Sequence, residues 1–250
     1  PGVGKTQLAL AAAVALKRPL VSYVVDGHTE SRDLLWRMDS VRRLAEAQLC
    51  SASGVSEEAA RERLDTRRFV EPGPLWWGFN WRNAKNQEKE SGSSFGSRVR
   101  IDDEHEGADP ANGVVVLIDE IDKADADVPN GLLEALGARS YHPRGCEVVK
   151  QTGVAPLVVI TTNEERILPE AFVRRCMVVR LGLPDNNPTA LKETLLRRGR
   201  AHFEAETVSD EVLGWAADML IEDRENAAPP RPGLAEYIDL LRAYHQLCEA

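Results

Sequence analysis

Residues 1–10 read PGVGKTQLAL, and the reading of the first six decides what the rest of the chain has to supply. Pro1-Gly2-Val3-Gly4-Lys5-Thr6 matches the second half of the phosphate-binding pattern G-x-x-x-x-G-K-[ST]. The first glycine of that pattern would fall before residue 1, so the chain reads as a fragment that starts inside the loop. Closely spaced glycines let backbone N–H groups converge on one concavity, which suits phosphate oxygens. A helix starting at Lys5-Thr6 adds its positive N-terminal end at the same point. Lys5 is the candidate for the outer phosphates and Thr6 for Mg²⁺, with Gly2, Val3, Gly4 and Gln7 completing the cradle. The run LALAAAVAL that follows is rich in good helix formers, and residues 7–17 read as helix. The plainer alternative is a glycine turn ahead of an ordinary helix.

Composition narrows the class. The chain has 250 residues, 43% of them hydrophobic and 28% charged, as in a globular protein with a real core. No stretch is apolar for long enough to cross a bilayer. A net charge of −9 speaks against broad nucleic-acid binding. Cys50, Cys146, Cys176 and Cys248 are far apart, with no CxxC pair, so a zinc site is not expected. They read as small hydrophobes in a reduced, cytoplasmic setting.

Apolar runs place the elements. Leu20–Val25, closed by Asp26-Gly27, reads as a buried strand, and residues 31–49 carry a helical pattern. A second helix starts at Ser56 and runs to about Arg67. Residues 82–112 are polar and Gly/Ser-bearing, and read as a surface insertion. Their acidic run, 102–106, reads as a solvated loop before it reads as a metal site. Val114–Ile118 is an unbroken apolar run of the kind found in parallel strands covered on both faces. Helix is expected over 128–138, a hairpin within 139–153, and short strands in PLVVITTN and CMVVRLGL. Three helical segments follow, near 189–205, 209–222 and 233–248. Strands alternate with helices to about residue 184. That order predicts a doubly wound α/β domain over 1–184 and a small α-helical domain over 185–250.

Four further stretches carry chemistry. VVVLIDEID delivers Asp119 and Glu120 at the end of a buried strand, where α/β sheets place their ligands. Asp119 suits Mg²⁺, and Glu120 suits polarising an attacking water. VVITTN ends on Asn163, a neutral amide able to orient that water. LPEAFVRRC places Arg174 and Arg175 together, and an arginine from a neighbouring subunit can stabilise charge in phosphoryl transfer. PPRPGLAEYIDLLRA sets Arg231 ahead of a helix, where it could bend over a nucleotide. Each has an ordinary structural explanation alone; their order along one chain favours the functional one.

These pieces, in this order, resemble the AAA+ superfamily: Walker A, Walker B, sensor 1, arginine finger and sensor 2. The wording of DGHTESRDLLWRMDSVRRLAEAQ, VEPGPLWWGF, LIDEIDKADADVPNGLLEALG and TTNEERILPEAFVRRCMVVRLGLP is similar to the MoxR-type branch, and it runs from residue 1 to about 184. The resemblance implies a P-loop NTPase with an α-helical lid, ATP and Mg²⁺ as ligands, and a homo-oligomeric, hexameric ring with its active site between subunits. It implies a chaperone-like role on a protein client or adaptor. By it, Lys5 and Thr6 hold phosphates and Mg²⁺, Asp119 and Glu120 are the Walker B pair, and Asn163 is sensor 1. Arg174 and Arg175 are both finger candidates, and Arg231 is the sensor 2 candidate. A nucleotide-dependent switch in signalling or defence shares every motif. A DNA-acting ATPase conflicts with the acidic balance, and a small-molecule kinase does not need the acid, amide and arginine series.

Overall fold

The computed structural model describes residues 4–92, 98–184, 186–228 and 231–249. They divide into two units, a larger one of Thr6–Met177 and a smaller one built on Val178–Ala250, with which the first residues up to Lys5 are grouped. The larger unit holds, in chain order, α1 (Lys5–Leu16), β1 (Leu20–Val24), β2 (Trp36–Met38), α2 (Ser40–Ser53) and α3 (Glu57–Arg63). It continues with β3 (Val70–Pro72), α4 (Pro74–Phe79), α5 (Trp81–Ser91), β4 (Val99–Asp102) and β5 (Val115–Asp119). Then come α6 (Asp127–Ala138), β6 (Ser140–Tyr141), β7 (Val149–Lys150), β8 (Leu157–Ile160) and α7 (Glu170–Val173).

The main sheet has the order β4-β1-β5-β8. β1, β5 and β8 are parallel, with Val24 opposite Asp119 and Ile118 opposite Ile160. β4 runs antiparallel along β1. Successive side chains of a strand point to opposite faces, and β5 shows the consequence. Val115 and Leu117 pack with Ala9 and Ala13 of α1. Val116 and Ile118 join the larger core of Leu75, Trp76, Phe79, Val128 and Leu132 on the other face. Both faces are covered by helices, so the strand is apolar throughout, as in a doubly wound sheet.

Two glycines are required by close approach. A Cβ on Gly73 would lie 2.6 Å from the Asp33 carbonyl oxygen and 2.7 Å from the Leu35 carbonyl carbon. One on Gly78 would lie 2.8 Å from a Val116 methyl. Together they let Pro72–Phe79 lie flat against the sheet and bury Trp76, Trp77 and Phe79.

The structure departs from the sequence reading in three stretches of the chain up to residue 183. Residues 31–49 are not one helix. Ser31–Leu34 is a 3₁₀ turn, Trp36–Met38 pairs with Val70–Pro72, and Asp39 caps a separate helix by accepting from the Arg42 N–H at 2.8 Å. Val41, at 81% exposure, and Leu44 therefore face outward and contribute nothing to the core. Residues 82–112 supply α5, whose Ala84, Gln87 and Ser91 are buried, and the edge strand β4. Gln87 donates to the carbonyls of Arg67 and Val70 at 2.8 and 2.7 Å, a polar anchor that polarity alone conceals. CMVVRLGL forms no strand. Met177 is 94% exposed and Val178 and Val179 are exposed, with no neighbouring strand among the described residues to complete a ladder. The expected hairpin within 139–153 is present as β6 and β7, paired antiparallel. Beside it, burial pushes the Cys146 thiol up to about 11, so it stays protonated near neutrality.

The smaller unit holds α8 (Pro188–His202), α9 (Asp210–Asn226) and α10 (Leu234–Glu249). Asn187 and Ser209 cap the first two of these by accepting from backbone N–H groups. Its core is Leu195, Leu213, Tyr237 and Leu241. The Tyr237 hydroxyl donates to the Leu213 carbonyl at 3.1 Å, and burial pushes its pKa up to about 12. No helix among the described residues is long and apolar enough to cross a membrane.

Gly73→Ala is expected to destabilise the larger unit by about 1–3 kcal/mol, since the added methyl meets backbone that cannot give. Gly137→Ala, in open space on α6, should be neutral or stabilising by a few tenths of a kcal/mol. Denaturant unfolding of both variants checks the contrast.

Candidate functional site

The site gathers at the C-terminal ends of β5 and β8. Gly4 has φ +86, a left-handed value that suits glycine, and α1 begins at the next residue, Lys5. Gly2 and Val3 lie outside the described residues. Thr6 and Gln7 occupy the first helical turn and are exposed.

Thr6 Oγ1 donates to Asp119 Oδ2 at 3.0 Å, joining residues 113 positions apart. Asp119 is held from the other side by Thr161, whose hydroxyl donates to Oδ1. The same Thr161 oxygen accepts the Glu120 N–H at 2.9 Å. Thr161 is 4% exposed and links the ends of the two strands. One neutral and one anionic hard oxygen, side by side, fit Mg²⁺, which often takes only one or two protein oxygens. Among the described residues, no group of three or more His, Cys, Asp or Glu side chains could hold a metal, the acidic run near 102–106 included.

Glu120 follows in a left-handed conformation, φ +60, which turns its side chain away from the strand line. Its Oε1 accepts from Asn163 Nδ2 at 3.1 Å, and its Oε2 pairs with the Lys123 ammonium. The hydrogen bond to Glu120, and then its charge, hold the Lys123 pKa above the ordinary lysine value. Asp122, two residues on, is buried. Its Oδ2 accepts the N–H groups of Asn163 at 3.1 Å and Glu165 at 2.9 Å.

The arginines are distributed differently. Arg174 pairs with Glu170 one turn earlier on the surface at 2.6 Å, and Arg175 is exposed with no ion pair among the described residues. Arg231 is exposed and precedes α10 in the smaller unit.

The structure thus brings together Thr6, Asp119, Glu120 and Asn163. It also shows three residues that sequence reasoning passed over: Thr161, Asp122 and Lys123. Their signal lay beside residues already singled out, in ITTN and DEIDK. Nothing in spacing reveals that a threonine hydroxyl bridges two strands.

A threonine in the first turn of a helix, bonded to an acid at the end of a doubly wound strand, is the arrangement of the P-loop class of α/β folds. Residues 1–198 match the family model described as "AAA domain (dynein-related subfamily)", and the chain belongs to that family of AAA+ ATPases. A solved structure from Cytophaga hutchinsonii, named as a putative ATPase, is 14% identical, with a TM-score of 0.36. The alignment covers 89% of this chain and 52% of that one, so the chain spans about half the length of the protein it matches. No curated protein matches the chain.

Thr161→Val keeps the shape of the side chain but leaves the Glu120 N–H without its acceptor. It should cost about 1–3 kcal/mol in denaturant unfolding, more than a threonine on the surface. An unchanged midpoint would show that the strand ends are joined by other means.

Proposed function

We propose that the protein binds and hydrolyses Mg²⁺-ATP, and that it uses the cycle to remodel or activate a partner protein, in the manner of a MoxR-like ATPase. The observation that carries the hydrolytic part is the pairing of two contacts: Thr6 on Asp119 at 3.0 Å, and Asn163 on Glu120 at 3.1 Å. Thr6 and Asp119 would hold Mg²⁺, which when bound neutralises charge developing on the phosphate oxygens. Gly2, Val3, Gly4, Lys5 and Gln7 would cradle the phosphates through backbone N–H groups and the lysine charge. Glu120 accepts the proton of an attacking water, and Asn163 fixes the carboxylate that receives it. To do so Glu120 must exchange its contact with Lys123 for the water.

The same reading assigns residues 1–184 to the nucleotide-binding core and 185–250 to the helical lid. Arg231 would then sense bound nucleotide from the lid. Both finger candidates are exposed, Arg174 in a surface ion pair with Glu170, and either would serve a neighbouring subunit. The assembly is a homo-oligomer, a hexameric ring, acting in the cytoplasm on a protein client or adaptor. A nucleotide switch in signalling or defence is the second reading. The Lys123–Glu120 ion pair favours it, because an acid already engaged by an ammonium turns over slowly.

Glu120→Gln should abolish Mg²⁺-ATP hydrolysis while retaining binding of a fluorescent ATP analogue, and Lys5→Ala should lose the binding itself. Equal hydrolysis by wild type and Glu120→Gln would overturn the assignment of the base. Mass measurement of Glu120→Gln with and without ATP tests the ring. A rise to roughly six subunits supports it, and an ATP-bound monomer turns the balance to the switch.

A further inference from the structure

We propose that Asp122 is a positioning residue for hydrolysis: its buried carboxylate fixes the peptide of Asn163 so that the amide meets Glu120. The role rests on the ATPase reading above. A carboxylate with 2% exposure is costly to bury unless its oxygens are used. Here one oxygen, Oδ2, accepts two peptide N–H groups, from Asn163 and Glu165, while the buried Oδ1 has no hydrogen-bond partner among the described residues. Half of the carboxylate is thus left unsatisfied, and the other half is spent wholly on the loop that carries Asn163. Simple capping of the turn after β5 does not explain this, because the bonds reach a loop 41 and 43 residues away.

The geometry points to a bracket of three members. Thr161 accepts the Glu120 N–H, Asp122 accepts the Asn163 N–H, and Asn163 donates to the Glu120 carboxylate. Asp122 sits in the short 3₁₀ turn Ile121–Lys123, and Glu120 is the residue that caps its start, so the base and the anchor of its partner are two residues apart on one turn. Between the two anchored peptides, Glu164 takes a left-handed φ of +60, a conformation unfavourable for a non-glycine residue. The Asp122 bonds on either side of Glu164 oppose relaxation of that turn. Catalytic geometry tolerates little looseness: a shift of about 1 Å can cost on the order of 100-fold in rate.

The test uses the full chain, with steady-state Mg²⁺-ATP hydrolysis and amide exchange of the nucleotide-free protein. Asp122→Ala should lower kcat by at least about ten-fold and leave KM for ATP within about two-fold, since no phosphate contact is removed. Asp122→Asn, which keeps an oxygen for the two N–H groups, should recover most of the rate. The double variant Asp122→Ala/Asn163→Ala should be no slower than Asn163→Ala, because Asp122 acts through Asn163. Exchange at the Asn163 and Glu165 amides should rise in Asp122→Ala while β5 stays protected. Unchanged kcat, additive losses in the double variant, or unchanged exchange would each overturn the proposal. If Asp122→Ala does not fold, Asp122→Ser, polar but too short to reach both amides, takes its place; failure of both to fold would make Asp122 a folding residue and overturn the role. A wild type that neither binds nor hydrolyses ATP overturns the function itself, and the exchange result still reports whether the bracket exists.

Discussion

β5 must be covered on both faces, and the larger unit is arranged around that need. Four consecutive apolar residues, Val115 to Ile118, cannot face water on either side without losing about 1.5–3 kcal/mol each in burial. One face is met by α1 and the other by the helices beyond Trp76 and Leu132. Covering both faces requires helices between parallel strands, and parallel strands all end on the same edge of the sheet. Asp119 and Glu120 stand at that edge because they follow the last buried residue. Thr161 and Asn163 stand there because β8 is in register beside β5, with Ile118 opposite Ile160. Thr6 arrives by the return of α1 over the same strand.

What forms at the edge is a set of acids held by donors of different charge. Asp119 is held by two neutral hydroxyls, from Thr6 and Thr161, one on each carboxylate oxygen. Glu120 is held by an amide and an ammonium, from Asn163 and Lys123. The amide contact orients the acid without adding charge, whereas the ammonium sets a positive charge against it. Asp122 contributes neither to a ligand nor to the surface and uses its charge on peptide N–H groups. The left-handed backbones of Glu120 and Glu164 each cost on the order of 1 kcal/mol, and charge-assisted bonds of this kind are of the size needed to offset them.

Local chemistry was legible wherever one stretch of chain settled its own structure. The helix after Gly4-Lys5, the apolar strands β1, β5 and β8, the β6–β7 hairpin and the three C-terminal helices follow from periodicity and turn residues. Failure came where a distant partner decided. Residues 36–38 are a strand because residues 70–72 lie alongside, although their own pattern continues a helix. Residues 99–102 are a strand because β1 has an open edge to receive them. CMVVRLGL has every local mark of a strand and is none among the described residues, because no ladder partner stands beside it.

The sequence by itself determined which polar residues follow which elements: an acid pair after four apolar residues, a threonine after a glycine and a lysine at a helix start, an asparagine after two threonines. These are properties of order and type along the chain. Only the tertiary structure decided how they bond. Asp119 is shared between two threonines, Glu120 is divided between Asn163 and Lys123, and Asp122 turns inward to hold a loop 41 residues on. The reason is physical. Propensity and periodicity act over a few residues, whereas a hydrogen bond depends on distances of about 3 Å that the packing of the whole sheet sets.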